Sequence, residues 1–466
     1  MLASMIFAFQ RWIGGASVEI TKEQNPMVEG VIWKQMLRFF FPILLGTFFQ
    51  QLYNTADALI VGRALGANAL GAVGGSTGMI TSTIVGFFMG LSSGASIIAA
   101  QMLGAKDRES VNDSIHTIYA FSLLTGVLLS VAGILLAEKM LIWMKTPEAL
   151  MEDSYSYLWI YLAGLVFVLI YNTGASLLRS LGDAKRPFLY LVICCVLNII
   201  LDYVLIVNLH LGVAGAAIAT VAAQGISAIL VTVRLLRFHE VCDFTLSGIR
   251  IHGSMLKREL LLGLPGGTQA AMYCISNIIV TAAINGFGEL TVASWTAYTK
   301  LDGLFWMISG AMGITITTFV GQNFGAGKME RIRTGVRVMN WAYVAVSLIM
   351  SAFVILLRRQ LFHLFVGSEA AIELGCRMLL IISPFYITNM YIENYAGALR
   401  GVSDTLVPML FSIFGICVFR ILYLALFFPA HPTLEVLCAM YPASWVLTNT
   451  LYLIYYPVRM RKLVKV

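Results

Sequence analysis

Two carboxylates, an amide and a hydroxyl stand inside apolar stretches of this chain: Asp57 within 39–62, Asn198 and Asp202 within 187–208, and Thr220 within 212–236. Together they offer oxygen ligands suited to a hard cation such as Na⁺, while two close carboxylates that cannot both stay ionised can hold a proton instead. Asn198 precedes Asp202 by one helical turn. At about 1.5 Å of rise per residue, Asp57, Asp202 and Thr220 each lie roughly 10 Å below the outer end of their stretches. Three helices that place polar groups at one level can build a site, and an acid inside a membrane is costly enough to be a functional suspect. Residue types do not choose between H⁺ and Na⁺.

The elements that must position these groups follow from composition. The chain of 466 residues is 59% hydrophobic and 12% charged, with a mean hydropathy of +0.83. Its apolar stretches repeatedly reach the roughly 20 residues that cross a bilayer, which excludes a soluble multidomain protein. The pattern predicts an all-α polytopic membrane protein with twelve transmembrane helices, at 36–62, 76–101, 114–137, 155–178, 187–208, 212–236, 259–285, 292–319, 336–357, 375–399, 406–428 and 435–457. With the N-terminus cytoplasmic, 23 of the 31 Lys and Arg residues fall in cytoplasmic segments and six at the external face, so the positive-inside rule puts both termini in the cytoplasm. The basic surplus therefore orients the protein and does not argue for nucleic acid, since no aromatic-rich soluble domain stands behind it. The seven cysteines form no CxxC pair and the histidines no HxxxH pair, so neither a disulfide framework nor a zinc site is indicated. Residues 5–9 read as the start of an interfacial amphipathic helix; they are too short, and too closely followed by Arg11, for a signal peptide.

An internal duplication organises the rest. Ala175, Leu178, Arg179, Asp183 and Pro187 recur as Ala396, Leu399, Arg400, Asp404 and Pro408, each 221 positions later, and the same offset relates Gln101, Gly104 and Ala105 to Gln322, Gly325 and Ala326. Pro42 and Pro265, read as helix-start prolines, align within two residues of it. The expected organisation is a cytoplasmic N-terminal segment (1–35), a first six-helix lobe (36–236), a cytoplasmic linker (237–258) long and polar enough to let the lobes move, a second six-helix lobe (259–457) and a cytoplasmic tail (458–466). Six is even, so the second half enters from the same side as the first, and the lobes are parallel repeats about an axis along the membrane normal. The repeated Arg and Asp read as helix-boundary residues, with Asp183 and Asp404 capping the helices that Pro187 and Pro408 begin.

The halves do not share the polar cluster. At the same offset Asp202 maps to Tyr423, Asn198 to Phe419, and Asp57 falls near Ile279 or Val280, so the acids specialise one lobe. In the second half, Gln269, Met272, Tyr273, Asn277, Trp295, Tyr298, Trp306, Met307, Asn389, Tyr391, Glu393 and Tyr395 include the candidates for a soft cavity that accepts flat, lipophilic cations. Lys300 and Asp302, two residues apart, point to different sides of a helix and are not read as a pair. Glu393 and Arg420 are further intramembrane charges that can act in the cavity or hold helices together.

Pro42 followed by Asp57, the string Leu197-Asn198-Ile199-Ile200-Leu201-Asp202, the Leu-Arg-x-x-x-Asp segments at 178–183 and 399–404, and Gly104-Ala105-Lys106-Asp107 carry a resemblance over about 30–457. The chain resembles multidrug and toxic compound extrusion (MATE) transporters, and within them the bacterial DinF-like and MepA-like branch more than the NorM-like one. The resemblance implies that Asp57, Asn198, Asp202 and Thr220 form the first lobe's cation and proton site. The NorM-like branch has further carboxylates in the seventh and tenth helices; here the seventh span carries Gln269, Tyr273 and Asn277, and the tenth carries Asn389 with Glu393 one turn later. The expected protein is a monomeric secondary antiporter of a bacterial cytoplasmic membrane, without a cofactor, that uses H⁺ or Na⁺ to export amphipathic, often cationic, small molecules by alternating access. Two alternatives differ in what they require. A flippase of lipid-linked saccharides needs a strongly cationic cavity, whereas few basic residues lie within these spans. An intramembrane aspartyl protease would need neither the duplication nor twelve spans, and no Gly-x-Gly-Asp surrounds Asp202.

Overall fold

In a bilayer every backbone amide needs an internal partner, so apolar stretches of this length fold as helices. The computed structural model describes residues 25–464 and contains twelve helical rods among them. They are α1 (Ile32–Leu65), α2 (Ala67–Gly104), α3 (Arg108–Trp143), α4 (Glu148–Ala163 and Leu165–Ser180), α5 (Lys185–Asn208), α6 (Gly212–Leu236), α7 (Gly253–Asn285), α8 (Glu289–Gly325), α9 (Met329–Leu356), α10 (Glu369–Gly401), α11 (Leu406–Leu426) and α12 (Leu434–Val464). Residues 5–9 and Arg11 lie outside the described residues. Ten of the rods are apolar enough to span a membrane by length and composition, counting the bent α4 as one; α1 and α12, of 34 and 31 residues, complete the two sets of six.

The repeat is visible in backbone geometry as well as in sequence. Lys106 (φ 60°) and Gly327 (φ 70°) close α2 and α8 in the left-handed region, and Gly182 (φ 92°) and Ser403 (φ 65°) do the same after α4 and α10. Both pairs keep the 221-residue offset. Pro187 and Pro408 lie in the first turns of α5 and α11, as expected. Pro42 and Pro265 do not start helices: they lie well inside α1 and α7, which begin at Ile32 and Gly253. Asp183 accepts a hydrogen bond from the Arg186 amide, at 3.2 Å. Asp404, in contrast, caps nothing and accepts from Tyr455 Oη (2.8 Å) and Arg459 Nε (2.9 Å) of α12.

The lobes meet where glycines remove side chains. Gly90 and Gly94 of α2 press on Gly267 and Gly263 of α7. At the ends of α2 and α8 the contact is reciprocal: a Cβ on Gly104 would lie 1.9 Å from the Gln322 carbonyl oxygen, and one on Gly325 would lie 1.8 Å from that of Gln101. Gln101 Nε2 donates to Gly401 O (2.7 Å) across the interface, and Gln322 Nε2 donates to Ser180 O (2.8 Å). These acceptors are again 221 residues apart. The Glu259 carboxyl of α7 crosses to accept from Ser114 Oγ of α3 at 2.6 Å.

Two segments bridge the lobes. The first part of α1 buries Met36, Phe39 and Ile43 with second-lobe residues, while Val61 near its other end packs with Tyr157 and Ile206 of the first lobe. Residues 237–252 are docked along α3, not free: Phe238, Val241, Cys242 and Phe244 are buried in the first lobe's core, and Arg108 holds Asp243 through both carboxylate oxygens (2.8 and 2.6 Å). Asn112 and His116 accept from the amides of Asp243 (2.8 Å) and Thr245 (3.1 Å). The Arg108 guanidinium keeps the Asp243 carboxyl below the usual carboxylate range.

Candidate ion and substrate sites

The first-lobe residues come together from three rods. Asp57 projects from α1, Asn198 and Asp202 from α5 one turn apart, and Thr220 from α6. All four are buried, Asn198 and Asp202 completely. The Asp57 and Asp202 carboxyls are near enough to interact with each other across α1 and α5. Among the described residues, neither oxygen of Asp202 receives a hydrogen bond, nor does Asp57 Oδ1 or the amide oxygen of Asn198. Asn198 Nδ2 and Tyr53 Oη each approach Thr220 Oγ1 at 3.5 Å. The result is a cluster of lone pairs without compensating donors in an apolar surround, which demands a positive partner.

Two tyrosines of this site were not anticipated from the sequence. Tyr53 stands one turn before Asp57, a spacing that puts both on one face of α1 and was readable. Tyr157 approaches the same Thr220 hydroxyl. It reaches the site because α4 is bent by 52° beside Gly164, where a Cβ would lie 2.3 Å from Val221 Cγ1 of α6. The apolar stretch 155–178 carries no sign of that bend. Directly after Asp202, α5 changes to a π-helical segment, Tyr203–Asn208. Such segments widen the backbone ladder and recur at functional sites.

The second lobe encloses a different site. Tyr273, Asn277, Trp295, Tyr298 and Trp306, all sequence candidates, line a cavity of about 440 Å³. Gln269, Met272, Asn389 and Glu393 do not line it. Asn389 is buried in α10, and Glu393 pairs with Arg400 of its own helix at 3.4 Å. Tyr391 and Tyr395 stack on each other, 6.1 Å between centroids, as helix packing.

Asp302 and Arg420 complete the cavity wall. Asp302 is not among the sequence candidates, yet its Oδ1 accepts from Tyr386 Oη (2.8 Å) and Tyr298 Oη (3.2 Å), and its Oδ2 from Trp306 Nε1 (2.7 Å). The i−4 and i+4 positions of Tyr298 and Trp306 were the available signal. Arg420 follows a second π-helical segment, Ile413–Val418, in α11.

A family model now accounts for the repeat and the fold together: the MatE model matches residues 42–204 and again 265–426. The chain belongs to the MATE family. Its relatives include the probable multidrug resistance proteins YoeA and YpnP of Bacillus subtilis. YoeA is 27% identical over 392 residues, covering 83% of this chain and 84% of YoeA; YpnP is 29% identical over 408 residues, covering 86% and 89%. Among solved structures, a MATE transporter in complex with MaL6 superposes with a TM-score of 0.88 at 24% identity, over 95% of this chain and 99% of that one. This MATE protein is a multi-pass membrane protein of twelve helices in two lobes, and its family consists of transporters, not enzymes.

Proposed function

We propose that this MATE protein is a secondary antiporter that couples inward movement of H⁺ or Na⁺ to export of amphipathic, often cationic, small molecules by alternating access, working as a monomer in a bacterial cytoplasmic membrane. The observation that carries the reading is the pair Asp57 and Asp202, buried beside each other with no donor on either Asp202 oxygen among the described residues. Such a pair is stable with a shared proton or a small cation, with Asn198 and Thr220 supplying further oxygens, and costly without one. Multidrug resistance relatives support the cargo class.

Coupling has a structural basis in α1. Asp57 sits on the part of this helix packed in the first lobe, while Met36, Phe39 and Ile43 pack in the second. A change at Asp57 that shifts or bends α1 therefore acts on both lobes, and a shared two-state equilibrium suffices for ion and cargo to exclude each other. Close approaches of α2 to α7 and α8 concentrate toward the Gly104 and Gly325 ends, beside the basic loops. With those loops cytoplasmic, this conformation is closed to the cytoplasm and the termini lie inside. The test is export in proteoliposomes at matched reconstitution, under an imposed pH or Na⁺ gradient. Asp57→Asn and Asp202→Asn each abolish gradient-driven export; undiminished export by both variants excludes the mechanism. The effective gradient names the ion.

A further inference from the structure

Arg420 is 4% exposed and lies in the middle of a membrane helix, yet its interactions are few. Its guanidinium carbon stands 4.1 Å over the Tyr441 ring, and Nε donates to Ser444 Oγ at 3.2 Å. Its two terminal nitrogens have no hydrogen bond or ion pair among the described residues. The obvious counter-charge, Asp302, lines the same cavity but forms no ion pair with Arg420 and is already held by three donors. The wall therefore presents a fixed, satisfied acid and an open, planar cationic fork. Around that fork the cavity is aromatic: Trp295, Trp306, Trp445, Tyr273 and Tyr298 offer ring faces and edges. At about 440 Å³ it has room for a drug-sized molecule.

A guanidinium fork matches a carboxylate in two parallel hydrogen bonds, and such a match is worth most where water is excluded. We propose that the second-lobe cavity is a binding site for flat aromatic compounds that carry a carboxylate, with Arg420 taking the carboxylate and the tryptophans stacking on the ring system. Zwitterions meet the requirement as well as simple acids. The inference rests on the efflux reading only in treating the bound compound as cargo; binding itself needs no gradient.

The test uses one ring system with and without the acid: rhodamine B and its ethyl ester, titrated into the purified protein in nanodiscs of neutral phosphatidylcholine, with affinity read by dye anisotropy. The wild type binds the acid at least about tenfold more tightly than the ester, the effect of one added charge-assisted contact. Arg420→Gln lowers acid affinity to that of the ester and leaves ester affinity within about threefold, which also reports an intact cavity. Should Arg420→Gln not fold, Arg420→Lys, which keeps the charge and loses the fork, shows a reduced acid preference. Equal binding of acid and ester by the wild type overturns the inference and makes Arg420 a structural cation, as does an acid preference that survives in Arg420→Gln. Gradient-driven export of the ester without any acid preference sinks this inference and leaves the efflux proposal standing. An acid preference without gradient-driven export of either dye does the reverse.

Discussion

The two lobes share a backbone plan and differ in how they treat buried charge. In the first, Asp202 has no donor for either oxygen among the described residues and meets Asp57 across helices. In the cavity wall of the second, Asp302 is held by two tyrosines and a tryptophan, and the incompletely partnered group of that wall is a cation, Arg420. Both unsatisfied charges sit on the fifth rod of their lobe, beside a π-helical segment: Asp202 just before Tyr203–Asn208, Arg420 just after Ile413–Val418. The 221-residue offset carries 203–208 to 424–429, beyond Ile413–Val418, so each lobe opens its fifth rod at its own place and puts a charge of opposite sign there. A buried charge with its donors in place is architecture, whereas one left open is a site waiting for a ligand.

That distinction breaks most visibly at the interface the lobes share. Gly104→Leu and Gly325→Leu drive a side chain into a backbone carbonyl of the other lobe and are expected to cost about 3 kcal/mol or more of this packed arrangement. Electron-spin distance measurements between labelled lobes should show them displaced apart in both variants. Gly303→Leu in α8, where a Cβ meets nothing within 4 Å, is the matched control and should leave the distances unchanged.

The next effect separates the two acids. Asp302→Asn removes a charged acceptor from three donors and is expected to destabilise the second lobe by about 2 kcal/mol, read as a lower melting temperature in detergent. Asp202→Asn removes a charge that no donor supports; it should melt no lower than the wild type, and up to about 1 kcal/mol more stable, while losing coupled export. Equal destabilisation by the two substitutions would erase the contrast between the lobes.

The smallest effect concerns the docked linker. Because Arg108 depresses the Asp243 carboxyl, the contact contributes at neutral pH and is lost as pH falls through that lowered value, below the usual aspartate range. Asp243→Asn should raise hydrogen exchange of the 238–250 amides at neutral pH with little change in melting, since the pair is exposed. The wild type should approach the variant only in strong acid.

Much of this was legible in residue order. The twelve apolar stretches, the 221-residue repeat and the meeting of Asp57, Asn198, Asp202 and Thr220 followed from hydropathy, offset and depth, because a bilayer restricts backbone to helices and makes depth proportional to residue count. Tyr157 was not legible, since it depends on the bend of α4 beside Gly164, a property of contact with Val221. Asp302 stands two residues from Lys300, but its partners lie one turn to either side and, in Tyr386, on another helix. Gln269, Met272, Asn389 and Glu393 share the composition of cavity residues but do not line the second-lobe cavity.

By itself the sequence determined the class of molecule, the number of spans, the duplication and which helices carry charge, because each is a matter of local free energy: apolar length, turn chemistry and the cost of an acid in lipid. Only tertiary structure decided which charges are satisfied. Whether a carboxylate meets three donors, as Asp302 does, or faces another carboxylate, as Asp202 does, depends on side chains from distant helices. Spacing along one chain does not encode the rotation of one rod against its neighbours, and that rotation is what turns a buried charge into a brace or into a site.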